Sequence, residues 1–220
     1  DGEAFAKAMG GRLVNYLKVS LLYMEFGFYE KAVELLELCE TESPLVEYYK
    51  GYAWGQLGRT EESIQCCRKA ETRSSDYCFP NTIEEMLILA YAIRLLGQAP
   101  MASYYLGNLL YDKKQYEKAV SCWENTVSLK PDFAMAWRNL SIAYYNKEEE
   151  PEKALSAIDK ACSLENGNSR FLLEQAQLGA KAGVSSAQRL KLLEEHKELL
   201  EDRDTLCLAY ITLLNENGRW

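Results

Sequence analysis

Ser103-Tyr104-Tyr105-Leu106-Gly107-Asn108-Leu109-Leu110-Tyr111, then Tyr116-Glu117-Lys118-Ala119-Val120, then Trp123, is a pattern that returns further along the chain. Its second copy runs Trp137-Arg138-Asn139-Leu140-Ser141-Ile142-Ala143-Tyr144, then Pro151-Glu152-Lys153-Ala154-Leu155, then Ile158. Leu106 and Leu140 are 34 residues apart and Ala119 and Ala154 are 35 apart, the difference being one extra residue in the turn at 147–150. Within each copy apolar residues recur at three- and four-residue spacing, which is the period of a helix buried along one face. A fixed period of this length with two helical stretches per copy is the mark of stacked helix–turn–helix units.

The pattern extends outward in both directions. From Leu13, Tyr16, Tyr23, Gly27, Ala32, Leu36 and Pro44 fall at matching places, and a second unit follows with Gly51, Trp54, Gly58, Ser63, Cys67 and Ala70. A weaker unit covers 169–200, with Gly183 in its turn and Ser185 capping its second helix in a capping box with Gln188. Residues 204–218 read as one more first helix, so the last unit is expected to be half a unit. Residues 72–100 break the rhythm. Asp76-Tyr77-Cys78-Phe79-Pro80-Asn81 reads as an ordered loop whose aromatic rings need burial. Asn81 is expected to cap a helix over 82–96, with Glu84 reaching back. That helix has no partner inside a unit and is read as an insertion.

These residues resemble the tetratricopeptide repeat, whose pattern places an aromatic at 4, Leu at 7, a small residue at 8, Tyr at 11, Ala at 20 and 27, and Pro at 32. Small residues at 8 and 20 let paired helices approach closely, and proline at 32 ends the second helix because it lacks an N–H. The resemblance implies an all-α, right-handed solenoid of antiparallel helix pairs with one inserted loop and helix. The expected divisions are 1–71, 72–100, 101–168 and 169–220. The loop motif, with Tyr104–Asp112 and Trp137–Leu140, also resembles large bacterial proteins that carry an amino-terminal β-rich domain of unknown function before such repeats. That likeness implies a helical appendage docking on an amino-terminal domain, in a protein associated with carbohydrate metabolism, as an alternative to a free binding scaffold. The chain begins at Asp1, which reads as a piece of something longer.

Composition narrows the function classes. The chain has 220 residues, 33 acidic against 25 basic, for a formal net charge of −8. An acidic surface argues against nucleic acid, where a basic face is needed. The best apolar run, Met86–Ile93, is far short of the ~20 residues that cross a bilayer, so no membrane span and a cytoplasmic location are expected. Seven cysteines without a CxxC pair read as reduced thiols inside helices rather than as metal ligands or disulfides. His196, the single histidine, sits in a charged stretch read as a solvated helix face, and the carboxylates of Glu148–Glu150 read likewise. With no phosphate loop, no metal spacing and no nucleophile–base set, neither an enzyme nor a cofactor is expected.

The resemblance further implies that first helices line a concave groove. Tyr48, Tyr52, Tyr104, Asn108, Tyr111, Met135, Arg138, Asn139, Ile142, Tyr145 and Arg170 are the residues it assigns there. Tyrosines offer contact area with a polar tip, and asparagines can bond a peptide backbone, so a protein or peptide ligand is expected. Some family members grip a carboxylate with cations in this groove. Asn108, Asn139 and Arg170 match that set, but Tyr104 and Glu174 stand where it needs cations, so an anion clamp is not expected here.

Overall fold

A computed structural model describes residues 9–147 and 149–219. Residues 1–8 of the first expected division, Glu148 of the acidic run and Trp220 lie outside the described residues. Twelve α-helices and one 3-10 helix, with no strand, make up the ordered elements among the described residues.

The chain divides into two compact units, 1–129 and 130–220. The first holds α1 (Leu13–Glu25), α2 (Tyr29–Glu37), α3 (Pro44–Gln56), α4 (Thr60–Thr72), α5 (Ile83–Leu96), α6 (Pro100–Asp112) and α7 (Tyr116–Leu129). The second holds α8 (Ala134–Asn146), α9 (Pro151–Leu164), α10 (Ser169–Lys181), α11 (Ser186–Glu194), a 3-10 helix (Lys197–Asp202) and α12 (Asp204–Glu216).

Tight turns pair α1 with α2, α3 with α4, α6 with α7, α8 with α9, and α10 with α11. Each turn contains one residue in the left-handed region: Gly27, Gly58, Lys114, Glu149 and Gly183. Glycine adopts that conformation without a Cβ clash, whereas Lys114 and Glu149 adopt it under strain. The predicted crossing residues Ala32, Ser63, Ala119 and Ala154 are all fully buried. Ser63 Oγ also donates to the carbonyl of Gly51 at 2.6 Å, pinning α4 to α3 at the crossing. Gly107 shows why a small residue is needed there. A Cβ on it would lie 2.5 Å from the indole nitrogen of Trp123.

The inserted segment departs from expectation in two ways. Thr82, not Asn81, caps α5, and its capping-box partner is Glu85, not Glu84. The two candidate caps are adjacent, and Glu85 wins because it is buried, where it takes the amides of Asn81 and Thr82 and the hydroxyl of Tyr49. The loop rings are not buried: Tyr77 is 90% exposed and Phe79 72% exposed. The residues of the loop that are buried are Cys78 and Pro80, and burial pushes the Cys78 thiol up to about 12, an effect only partly offset by the Tyr105 hydroxyl. α5 packs on α3 and α4 before it and on α6 after it.

In the second unit, Ser185 and Gln188 form the expected capping box. The second helix of that pair is short, ending at Glu194. His196 therefore lies in the turn before the 3-10 helix, half-buried, rather than on a solvated helix face. All seven cysteines are free thiols, Cys67 and Cys78 buried and the rest half-buried. No helix among the described residues is long and apolar enough to cross a membrane.

Candidate functional site

Four of the residues assigned to a groove belong to the first unit's paired helices and are used in packing. Tyr48 is fully buried on α3, so its assignment to a groove is corrected here. Its hydroxyl donates to Glu71 Oε1 at 2.7 Å, and burial, then the Glu71 charge, push it well above the usual phenol range. Tyr104 is buried on α6 and packs against Tyr105, and its assignment is corrected likewise. Asn108 accepts from the Trp123 indole N–H at 3.1 Å, and Tyr111 lies between the rings of Tyr116 and Trp123. Tyr52, also on α3, lines an open cleft.

Glu71 was not visible to sequence reasoning. Helix α6 starts at Pro100 after Ala99, which offers no capping side chain. Glu71 supplies the cap from α4, accepting from the backbone amides of Met101 and Ala102 at 2.8 and 2.9 Å. The missing cap residue before Pro100 was the one available signal, since the first-turn N–H groups need a partner.

The second unit brings its assigned residues together. Arg138, Ile142 and Tyr145 follow one face of α8 at helical spacing, with Met135 and Asn139 half-buried beside them. Facing them on α10 are Glu174, Gln177, Leu178 and Lys181, and a cleft of about 230 Å³ lies between the two helices. Ile142 and Leu178 give it apolar surface, and Ser141, Asn146 and Gln177 give it hydrogen-bonding groups. The Lys181 ammonium lies 5.2 Å from the centre of the Tyr145 ring, a cation–π distance.

Glu174 sets the electrostatics of this cleft. It accepts two bonds from Arg138, at 2.7 and 2.6 Å, and one from Arg170 at 3.0 Å. Burial opposes its ionisation, but the bonds and charge of Arg138, and then of Arg170, outweigh burial and hold its carboxyl below the usual range. The forked guanidinium of Arg138 is therefore occupied from within the protein. An incoming carboxylate would have to displace Glu174 from Arg138. No group of three His, Cys, Asp or Glu among the described residues is arranged to hold a metal.

Comparison with known proteins agrees with the repeat. Residues 107–147 match a family model described as "TPR repeat". The human protein O-mannosyl-transferase TMTC1 is 27% identical over 164 residues, which are 74% of this chain, and the matched region spans only 15% of that protein's length. Among solved structures, MamA from Desulfovibrio magneticus RS-1 is 22% identical with a TM-score of 0.47, covering 84% of this chain and 92% of its own. YrrB, described as a TPR protein with an unusual peptide-binding site, is 16% identical with a TM-score of 0.49, covering 95% of this chain and 98% of its own.

Proposed function

We propose that this tetratricopeptide repeat chain is a noncatalytic scaffold that binds a segment of another protein in the cleft between α8 and α10. The observation that carries the reading is the convergence of Ile142, Tyr145, Leu178 and Lys181 on one open cleft in which Glu174 is already paired with Arg138 and Arg170. Such a site recognises an extended segment through apolar contact and backbone hydrogen bonds, with tyrosine as a rigid anchor. Arg138 and Arg170 serve mainly to hold Glu174 and shape the wall, and the Lys181 ammonium beside Tyr145 is the cation that faces a ligand.

The test is capture of cross-linked partners from the source cells by the wild-type chain and by Tyr145→Ala combined with Lys181→Ala. Both side chains reach the cleft, and neither fills the buried core. Partners lost on the double substitution support the reading. A partner set identical for the two proteins would overturn it.

A further inference from the structure

The first unit carries a second, more apolar recess. It is formed by α1 and α5 as walls with α3, which packs against both, as the floor. Two clefts lie along it and share Leu21. One, of about 220 Å³, is floored by Leu45 and Tyr49 and flanked by the exposed Val14 and Phe79. The other, of about 130 Å³, is floored by Tyr52 and flanked by the exposed Leu87.

Each cleft is smaller than the ~300–1,000 Å³ of a typical small-molecule site, but each can take one large side chain. On α1 they centre near Leu17 and near Met24, seven residues and roughly 10 Å apart at the helical rise. Side chains seven positions apart on a docking helix have the same spacing. The charges at the two ends differ. Lys18 borders the first cleft, while Glu25 and Glu84 border the second. Glu25 and Glu84 have no ion-pair partner among the described residues, whereas Glu85 in the first cleft is fully engaged by Tyr49, Asn81 and Thr82.

We infer that this recess receives an amphipathic helix of a partner protein, with two apolar anchors seven residues apart and a basic residue at the end that meets Glu25 and Glu84. This rests on the reading of the chain as a binding scaffold, but on a surface separate from the α8–α10 cleft. The insertion at 72–100 then has a role, since Phe79 and Leu87 belong to it and form one wall.

The probe is a fluorescein-labelled, hydrocarbon-stapled 16-residue helix with leucines seven positions apart and lysines at one end, read by anisotropy. Its counterparts carry glutamates in place of the lysines, or the same composition scrambled. The lysine peptide binds, and the glutamate peptide binds roughly fivefold more weakly, as expected for two exposed ion pairs. Val14→Asp with Leu87→Asp, both at exposed positions, weakens binding by more than about tenfold. Glu25→Lys with Glu84→Lys reverses the charge preference. Equal binding of the scrambled peptide, no response to the aspartate pair, or self-association by sedimentation that the aspartate pair abolishes would each overturn the inference. The Tyr145→Ala and Lys181→Ala protein binds this peptide as wild type does, so failure at one surface is read separately from failure at the other.

Discussion

The hydroxyl of Tyr48 and the amides of Met101 and Ala102 converge on one carboxylate, that of Glu71. One side chain thus ties α3, α4 and the start of α6 together. Glu71→Ala leaves the buried Tyr48 hydroxyl and the first turn of α6 without partners, and the expected loss is about 2–3 kcal/mol. Urea unfolding checks it: the midpoint falls for Glu71→Ala and falls less for Glu71→Gln, which keeps an acceptor.

Gly107→Ala presses a methyl group into the Trp123 ring and should destabilise by about 1–3 kcal/mol through overpacking. Trp123→Leu in the same background should recover part of the loss by making room. A single alanine substitution that leaves the thermal midpoint unmoved would mean that the helices separate freely at this crossing.

Lys114 occupies the left-handed position that Gly27, Gly58 and Gly183 occupy in other turns. Lys114→Gly relieves the Cβ clash and should stabilise by up to about 1 kcal/mol after the entropy of glycine is counted, whereas Gly58→Ala should destabilise by a similar amount. Opposite shifts in thermal midpoint for the two variants are the expected result.

The folded-state pKa of Glu174 is depressed, so its stabilising contribution is present above the ordinary carboxylate range and is lost as pH falls through the folded value. Wild type should therefore lose more stability than Glu174→Gln between neutral pH and pH 3. Parallel pH profiles for the two proteins would show that the Arg138–Glu174–Arg170 set contributes nothing.

Burial pushes the thiols of Cys67, Cys78 and Cys162 up to about 12. With folded values raised, their contribution is complete below the ordinary thiol value and declines as pH rises toward about 12. Iodoacetamide at pH 8.5 should alkylate these three far more slowly in the folded chain than in urea, as mass spectrometry of the digested protein would record.

The repeat was legible because the helical period and the small crossing residues are set by neighbours within one unit. Ala32, Ser63, Ala119 and Ala154 could be placed from spacing alone. What escaped depends on contacts distant in sequence. Glu71 meets its amide donors 30 and 31 residues later. Nothing local distinguishes Asn81 from Thr82 as a cap, and the choice follows from which of Glu84 and Glu85 faces Tyr49. Tyr48 and Tyr104 sit at groove positions in the repeat pattern, yet neighbouring helices cover them here. In the second unit the same pattern placed Arg138, Ile142 and Tyr145 together, but the neutralising role of Glu174 emerged only from its three short bonds.

The loop at 76–81 buries Cys78 and Pro80 and faces water through the rings of Tyr77 and Phe79. Attachment and display are thus assigned to different residues. Tyr77 and Phe79 can be exchanged for other side chains without disturbing the buried Cys78 and Pro80, so natural drift or a designer could re-letter this outer surface while the scaffold beneath keeps its shape.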